Sequence, residues 1–372
     1  MSKHHYIVPM ARAAVADPKL FRPDWTVGIS RDPALLWLDK NENTDPQMAE
    51  LVSRVLSDID QTAIRTYPEC APLYHKLGAY LGIGADHLLL TAGSDGAIRS
   101  VFEAYIDPGD VVMHTVPTFA MYAVYSSMYG ASVIPLDYHP SDNGPFLSVE
   151  AVLKTIAEIR PKLVCLPNPD SPTGTVFIPD QLRRIIEAAG EAGSLILIDE
   201  AYYPFYGNTI ISWVDEYTNL VVTQTFAKAW GLSGLRIGYA AACPELARIL
   251  HKVRPMYEVN TVAVATMEKM LDHSHEMMAS VKRLNAGKEV FLDAMEDLGL
   301  KVLRSQGNFL HVAFGDYAST VHERLKAKVL YRLDFKEPCL KGFSRFSATT
   351  PERFNPIIEC IRQTINERRN KL

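Results

Sequence analysis

The 372-residue chain has no apolar run approaching the roughly 20 residues that cross a bilayer, which argues against a helical membrane anchor. Its start, Met1-Ser-Lys-His-His-Tyr6, lacks the apolar block of a signal peptide, so the expected compartment is the cytoplasm. Cysteine is sparse: Cys70, Cys165, Cys243, Cys339 and Cys360 are scattered and odd in number, with no CxxC and no Cys/His spacing suited to zinc. They read as reduced and mostly buried, without a disulfide framework. Basic runs are missing too, and 38 Lys+Arg against 43 Asp+Glu leave a net charge of -5, which argues against nucleic acid as a partner. Neither GxGxxG nor GxxxxGK[ST] occurs, so nothing supports an unrelated nucleotide-binding α/β enzyme. Internal repeats and low-complexity tracts are absent.

What is present is an ordinary globular composition, 48% hydrophobic and 22% charged, in a chain longer than one compact core usually uses. Two subdomains are expected. From about residue 85 to 245, apolar strand-like runs alternate with amphipathic segments, as in parallel sheets fed by crossover helices. The runs are 88–91, 111–114, 132–136, 163–166, 195–198, 220–223 and 237–241, and their near-continuous apolar content predicts cover on both faces. Helical segments are predicted over 96–105, 119–129, 148–159 and 179–192. After about Pro255 the texture changes to long charged helices over 262–298, short strands over 302–303, 309–313 and 343–348, and a terminal helix over 351–369. The expected fold is therefore α/β, with a mostly parallel central sheet in a large domain (46–254) and a smaller α+β domain built from 1–45 and 255–372. The Met-rich stretches 113–128 and 267–278 read as core filling. His4, His5, His273 and His275 lack further ligands at metal spacing, so no metal site is expected.

Four segments at predicted strand ends carry chemistry, and in open parallel sheets such ends are where ligands collect. In Thr91-Ala-Gly93-Ser94-Asp95-Gly96, a strand runs into a helix through small residues whose bare N–H groups could hold an anion. Phe119 follows the next strand and could stack on a flat heteroaromatic ring, or simply fill the core. Asp199 comes straight after four apolar residues, so its carboxylate needs either a cation, such as a protonated pyridine nitrogen, or a helix-cap role. Tyr202 lies three residues on. Finally, Lys228 sits among small and aromatic residues, eight positions before Arg236. A lysine amine attacks a carbonyl only when neutral, which burial and nearby cations favour; a guanidinium also grips phosphate. Lys228 alone could be a surface lysine. Together the four pieces suit a phosphorylated, cationic aromatic aldehyde, pyridoxal 5'-phosphate.

In these motifs the chain resembles the fold-type I pyridoxal-phosphate enzymes, and within them the histidinol-phosphate aminotransferase branch. The resemblance spans nearly the whole chain. It includes Asn41-Glu-Asn43, Tyr67-Pro68, Gly93-Ser-Asp95, Pro117-Thr-Phe119, Asn168-Pro-Asp-Ser171-Pro-Thr-Gly174, Asp199-Glu-Ala-Tyr202, Phe226-Ala-Lys228, Gly234-Leu-Arg236, Gly307-Asn-Phe309, Tyr331-Arg332 and Arg345-Phe-Ser347. It implies that Lys228 holds the cofactor as a Schiff base and shuttles a proton. Asp199 would pair with the pyridine nitrogen, Tyr202 with the ring oxygen and Arg236 with the phosphate. Gly93, Ser94, Asp95, Phe119, Asn168, Ser171 and Thr225 would complete the cofactor site. Tyr67 would reach the cofactor phosphate of a second subunit in a homodimer. Asn43, Tyr67, Arg332 and Arg345 would bind substrate, the arginines holding its anionic groups.

Two departures stand out: Ser171 occupies the place of an Asn that bonds the ring oxygen in the family, and Ala227 replaces a phosphate-binding Ser, with Thr225 still available. The implied reaction is transfer of an amino group, from glutamate as the expected donor, to a phosphorylated ketone or aldehyde. Decarboxylation of an O-phospho-amino acid is the alternative, since related enzymes share these motifs. A cofactor-binding regulatory domain is a third reading, with only about 35 residues ahead of Leu36 to hold a further module.

Overall fold

The computed structural model describes residues 10–20, 30–333 and 335–370; His4 and His5 lie outside them. In chain order the strands are β1 (Leu36–Leu38), β2 (Leu88–Thr91), β3 (Val111–Val116), β4 (Ser132–Asp137), β5 (Leu163–Pro167) and β6 (Leu195–Asp199). They continue with β7 (Leu220–Thr225), β8 (Gly238–Ala242), β9 (Lys301–Leu303), β10 (Phe309–Ala313), β11 (Val329–Tyr331) and β12 (Ser344–Ser347). Seven form one sheet in the order β2-β8-β7-β6-β5-β3-β4. β8 alone runs against the others. A parallel partner for β7 would need a crossover the length of a helix, whereas residues 226–237 form a loop that simply turns the chain back. The other links carry helices Ser94–Tyr105, Met121–Tyr129, Val149–Ile159 and Pro179–Glu191.

Alternation along the central strands splits their side chains between two cores. Leu88, Leu90, Val164, Leu166, Ile196, Ile198, Leu220 and Val222 face one. Leu89, Leu163, Cys165, Leu195, Leu197 and Val221 face the other. The expectation of cover on both faces fails for β4, where only Leu136 is buried. It is an edge strand, and Pro135 there removes a donor that has no neighbour to serve. β1 and β11 went unpredicted as strands, because three residues are too few to show a period; they pair in parallel as a two-stranded sheet.

β12-β10-β9 form a separate antiparallel sheet. Phe291, Phe314, Phe346 and Phe354 centre its core with Leu38, Leu310 and Ile361, and Tyr331 stacks on Phe346 at 4.1 Å. The long helix Ser274–Asp297 packs against this core and the terminal helix Pro351–Arg369. Of the Met-rich stretches, Met113, Met267, Met270 and Met277 fill the core, whereas Met121 and Met128 are half-buried and Met278 is exposed. Among the described residues all five cysteines are unbridged and no metal-binding cluster occurs. No helix there is long and apolar enough to cross a membrane.

The approach of the long helix to the strand end after β12 depends on Gly287, where an added Cβ would lie 1.8 Å from the Thr349 carbonyl oxygen. Gly287→Ala must push backbone apart, since no flexible side chain can yield. It should cost about 1–3 kcal/mol, measured by urea unfolding; native stability in the variant would contradict this packing.

Candidate active site

β2, β3, β5, β6 and β7 run the same way, so their C-terminal ends reach one edge of the sheet. That edge carries Gly93-Ser94 after β2, Phe119 after β3, the loop 168–174 after β5, Asp199 at the end of β6, and Lys228 shortly after β7. The reversed β8 begins there, which brings Arg236 to the same edge. A cavity of about 250 Å³ opens between them, lined by Ser94, Asp95, Phe119, Ser171, Asp199, Tyr202, Thr225, Lys228 and Arg236, with small walls from Pro167, Pro169, Ala201 and Ala227.

At one end is the start of helix Ser94–Tyr105. Gly93 caps it at φ 81°, and a Cβ there would sit 2.7 Å from Arg236 Nη2. Gly238 is equally constrained, because its Cβ would meet the backbone of Gly93 and Ser94 at 2.7 Å. The Arg236 guanidinium donates to the Ala92 carbonyl at 3.1 Å, just before the helix begins. Asp95 accepts from the Tyr125 hydroxyl at 3.0 Å. Bare N–H groups at a helix start beside a guanidinium are the chemistry that suits an anion such as phosphate.

Asp199 lies at the floor, buried. Its carboxylate accepts from Thr223 (3.1 Å), Tyr122 (3.2 Å) and the Ala201 N–H (3.2 Å), all neutral donors. Burial raises it to about 6 despite those bonds. A cationic ring nitrogen would reverse that cost. Tyr122 and Thr223 were not singled out from the sequence, although Thr223 is the register partner of Asp199 on β7.

Lys228 is half-buried, its Nζ donating to the Lys40 carbonyl at 2.9 Å and lying 5.6 Å from the Tyr202 ring centre. Burial opposes ionisation of the Tyr202 hydroxyl, but the charges of Lys228 and Arg345 and hydrogen bonds from Asn41 and Ser171 outweigh it, leaving it below the usual phenol range. Asn41 donates to that hydroxyl at 3.0 Å from a left-handed backbone, φ 57°. It was visible in sequence only as part of a motif.

Arg345 is buried, donating to Ser171 Oγ (3.4 Å) and the Asp39 carbonyl (3.0 Å), with its guanidinium 5.3 Å from the Phe309 ring. Burial pushes it down to about 10, with repulsion from Arg332 adding to this. The Asp39 carboxylate turns away to Arg31 at 2.9 Å. Arg332 is more exposed, 3.5 Å from Glu337 and over Phe335.

Three expected residues stand apart. Asn168 spends its amide on the backbone of Phe177, accepting at 2.7 Å and donating at 3.2 Å. Asn43 braces the Ala229 carbonyl at 2.9 Å and Ser280 at 3.1 Å. Tyr67 is exposed, away from this cavity, and stacks on Tyr257 at 4.0 Å. His273 bonds Glu276 at 3.0 Å.

Residues 33–361 match the family described as aminotransferase class I and II. The chain belongs to that family. Its members are enzymes that work through pyridoxal 5'-phosphate. A histidinol-phosphate aminotransferase of Thermoanaerobacter pseudethanolicus is 30% identical over 331 residues, 88% of this chain and 92% of that one. One from Clostridium novyi is 28% identical, covering 93% and 95%. Among solved structures, the histidinol-phosphate aminotransferase of Sinorhizobium meliloti in complex with pyridoxal-5'-phosphate superposes with a TM-score of 0.77 at 20% identity, covering 90% and 91%. The Thermus thermophilus aspartate aminotransferase with maleate gives 0.73 at 21%, covering 89% and 92%. At these identities the structural likenesses speak for the fold. The donor set itself fits the family's cofactor: an anion cradle that a Cβ would fill, a buried carboxylate without a cation, and an amine between them.

Asp199, Asp170 and Glu200 are all fully buried, and burial raises them to about 6, 7 and 7. A carboxyl that keeps its proton in the fold after losing it in the unfolded chain stabilises most at low pH, and that contribution fades as pH rises from about 4 to 7. Asp170 accepts from Thr115, Thr118 and Tyr138. The stability advantage of the native cofactor-free protein over Asp170→Asn should therefore shrink between pH 5 and 7 in thermal melts. A gap that stays constant or widens would show that Asp170 is ionised throughout.

Proposed function

We propose that this aminotransferase moves an amino group from glutamate to a phosphorylated keto or aldehyde acceptor. The carrying observation is the single cavity in which Lys228, Asp199 and Tyr202 converge between the anion cradle at Gly93-Ser94 and the buried cation of Arg345. Buried charge without an opposite charge is costly, so Asp199 calls for a cation and Arg345 for an anion. The relatives named as histidinol-phosphate aminotransferases support a phosphorylated substrate, with histidinol phosphate and its keto partner as candidates and a small phosphorylated metabolite as another.

When bound, the cofactor supplies a carbonyl carbon and an electron sink. Ser94, Asp95, Thr225 and Arg236 would hold its phosphate end, Phe119 would cover the ring and Asp199 would pair with the ring nitrogen. Tyr202 would meet the ring oxygen, with Ser171 beside it too short to reach as the family's Asn does; Asn168 would act by shaping the loop behind them. Lys228 Nζ would take the proton from the substrate's α-carbon and return it two atoms along, past the nitrogen, at the cofactor's former carbonyl carbon, a transfer its flexible stem permits. Arg345 receives the substrate's carboxylate, and Arg332, once released from Glu337, its phosphate. Asn43 supports the lysine loop from behind.

Ile64, Tyr67, Met256 and Tyr257 form an exposed apolar patch, with Ile64 and Met256 each 79% exposed. It suits a second copy of the chain, in a cytoplasmic homodimer where Tyr67 completes the partner's phosphate and substrate site. Residues 46–254 would act as the cofactor-holding domain, with 1–45 and 255–372 as the smaller unit.

Glutamate added to the cofactor-loaded protein should move its visible absorbance to the near-ultraviolet, and phosphorylated keto acceptors should restore it. Lys228→Ala should lower turnover by roughly 10²–10⁴ or more. A visible band indifferent to every amino donor, with carbon dioxide released from an O-phospho-amino acid, would replace transfer by decarboxylation. Arg345→Leu should raise KM for glutamate about tenfold or more while leaving cofactor loading intact; an unchanged KM would remove Arg345 from the substrate site.

A further inference from the structure

Lys288 is 5% exposed, on the long helix Ser274–Asp297, and its Nζ donates to two backbone carbonyls, Ser305 at 2.8 Å and Gly307 at 3.2 Å. Its neighbour Glu289 pairs instead with Arg304 on the outside of the helix. An ammonium buried against carbonyls alone must have them rigidly presented, or its lost hydration is not replaced. The loop that presents them therefore has one set place relative to the helix.

That loop touches the active site in three ways. Gln306 N–H donates to the Gly174 carbonyl at 2.9 Å, and Ser305 fills the space where a Cβ on Gly174 would stand, at the end of the loop that carries Ser171. Directly beyond Gly307, the Asn308 amide donates to the Asn41 carbonyl at 2.9 Å, and Asn41 donates to the Tyr202 hydroxyl at 3.0 Å. Phe309 then meets the Tyr202 ring edge-on at 5.5 Å. Asn41 needs such support: among the described residues its left-handed backbone is held by the Asn308 amide at its carbonyl and by Ser347 Oγ at its N–H, 2.8 Å away, with Ser347 also bonding its side-chain oxygen at 3.3 Å.

We propose that Lys288 is a positioning residue for Tyr202, acting through the Ser305–Gly307 loop and the Asn308–Asn41 pair. A hydroxyl that accepts from Asn41 is freed to donate its own proton, and the direction of that donation is set by where Asn41 stands. The inference rests on the reading above that Tyr202 meets the cofactor's ring oxygen. A firm bond there favours the deprotonated oxygen, so a loosened Asn41 lets the loaded site keep its proton to higher pH.

The test is a pH titration of the visible absorbance of the full-length, cofactor-loaded protein, for the native chain and Lys288→Met, Lys288→Gln, Asn308→Ala, the Lys288→Met/Asn308→Ala double variant and Tyr202→Phe. Lys288→Met should raise the midpoint by roughly 0.5–1 unit, the size of one weakened hydrogen bond, and lower kcat more than it changes KM for glutamate. Lys288→Gln, which can still donate to a carbonyl, should recover part of the shift. The double variant should move the midpoint no further than the larger single change, because both act on one chain of contacts. Lys288→Met that melts at lower temperature with a native midpoint, or shifts that simply add, would overturn the proposal. Should Lys288→Met not fold, native midpoints in both Lys288→Gln and Asn308→Ala overturn it equally. Tyr202→Phe separates the two readings: if it moves the midpoint and the Lys288 variants do not, only the role of Lys288 fails, whereas an unmoved midpoint in Tyr202→Phe removes Tyr202 from the ring and this proposal with it.

Discussion

A carboxylate buried at the end of an apolar strand, with only neutral donors around it, is the constraint on which the rest of this structure turns. Asp199 follows Leu195-Ile-Leu-Ile in the middle of a seven-stranded sheet, almost wholly buried at the edge of the cavity, with no basic side chain among the donors to its oxygens. Thr223, Tyr122 and the Ala201 N–H hold the oxygens in place without neutralising them. The fold tolerates this because the surrounding hydrophobic layers are extensive on both faces of the sheet. A ligand that brings a positive ring nitrogen to that point relieves the strain, so the free energy withheld in folding becomes available for binding.

The complementary debt lies across the cavity. Arg345 is a buried cation whose contacts are a hydroxyl, a carbonyl and a ring face, and the nearby Asp39 carboxylate is already engaged by Arg31. On the proposed reading, a negative group of the substrate and a positive one of the cofactor would complete a pattern of charge that the protein leaves half-written. Lys228 stands between the two, its amine resting on the Lys40 carbonyl. The N-terminal segment 39–43 is the common element: it accepts from Lys228 and Arg345 and donates to Tyr202. A stretch far from the sheet in sequence is therefore part of the site's wall.

Much of this was legible beforehand because local chemistry announces itself. Strands buried on both faces have to be apolar throughout, so β2, β5, β6 and β7 could be read from composition alone, and the residues that follow them had to lie at strand ends. Gly93, Asp199, Lys228 and Arg236 stood out because each breaks the pattern around it. Asn168, by contrast, looked like a ligand and serves the backbone of Phe177, since an amide's partners depend on what the loop folds against. β4 looked buried but lies at an edge, a matter of strand order rather than of residue type.

The sequence by itself determined the alternation of strands and helices, the small-residue turn suited to an anion, and the acid and amine that frame the site, because these follow from short-range sterics and from the cost of burying charge. Only the tertiary structure decided that β8 runs backwards and so returns Arg236 to the cavity, that Tyr122 and Thr223 attend Asp199, and that Asn41, Asn308 and Lys288 stand in a line behind Tyr202. Those contacts join residues from 17 to 267 positions apart, and nothing in the chain's local pattern distinguishes them. They arise from strand order and from the packing of the long helix against the loop before β10, which bring together side chains that were individually unremarkable.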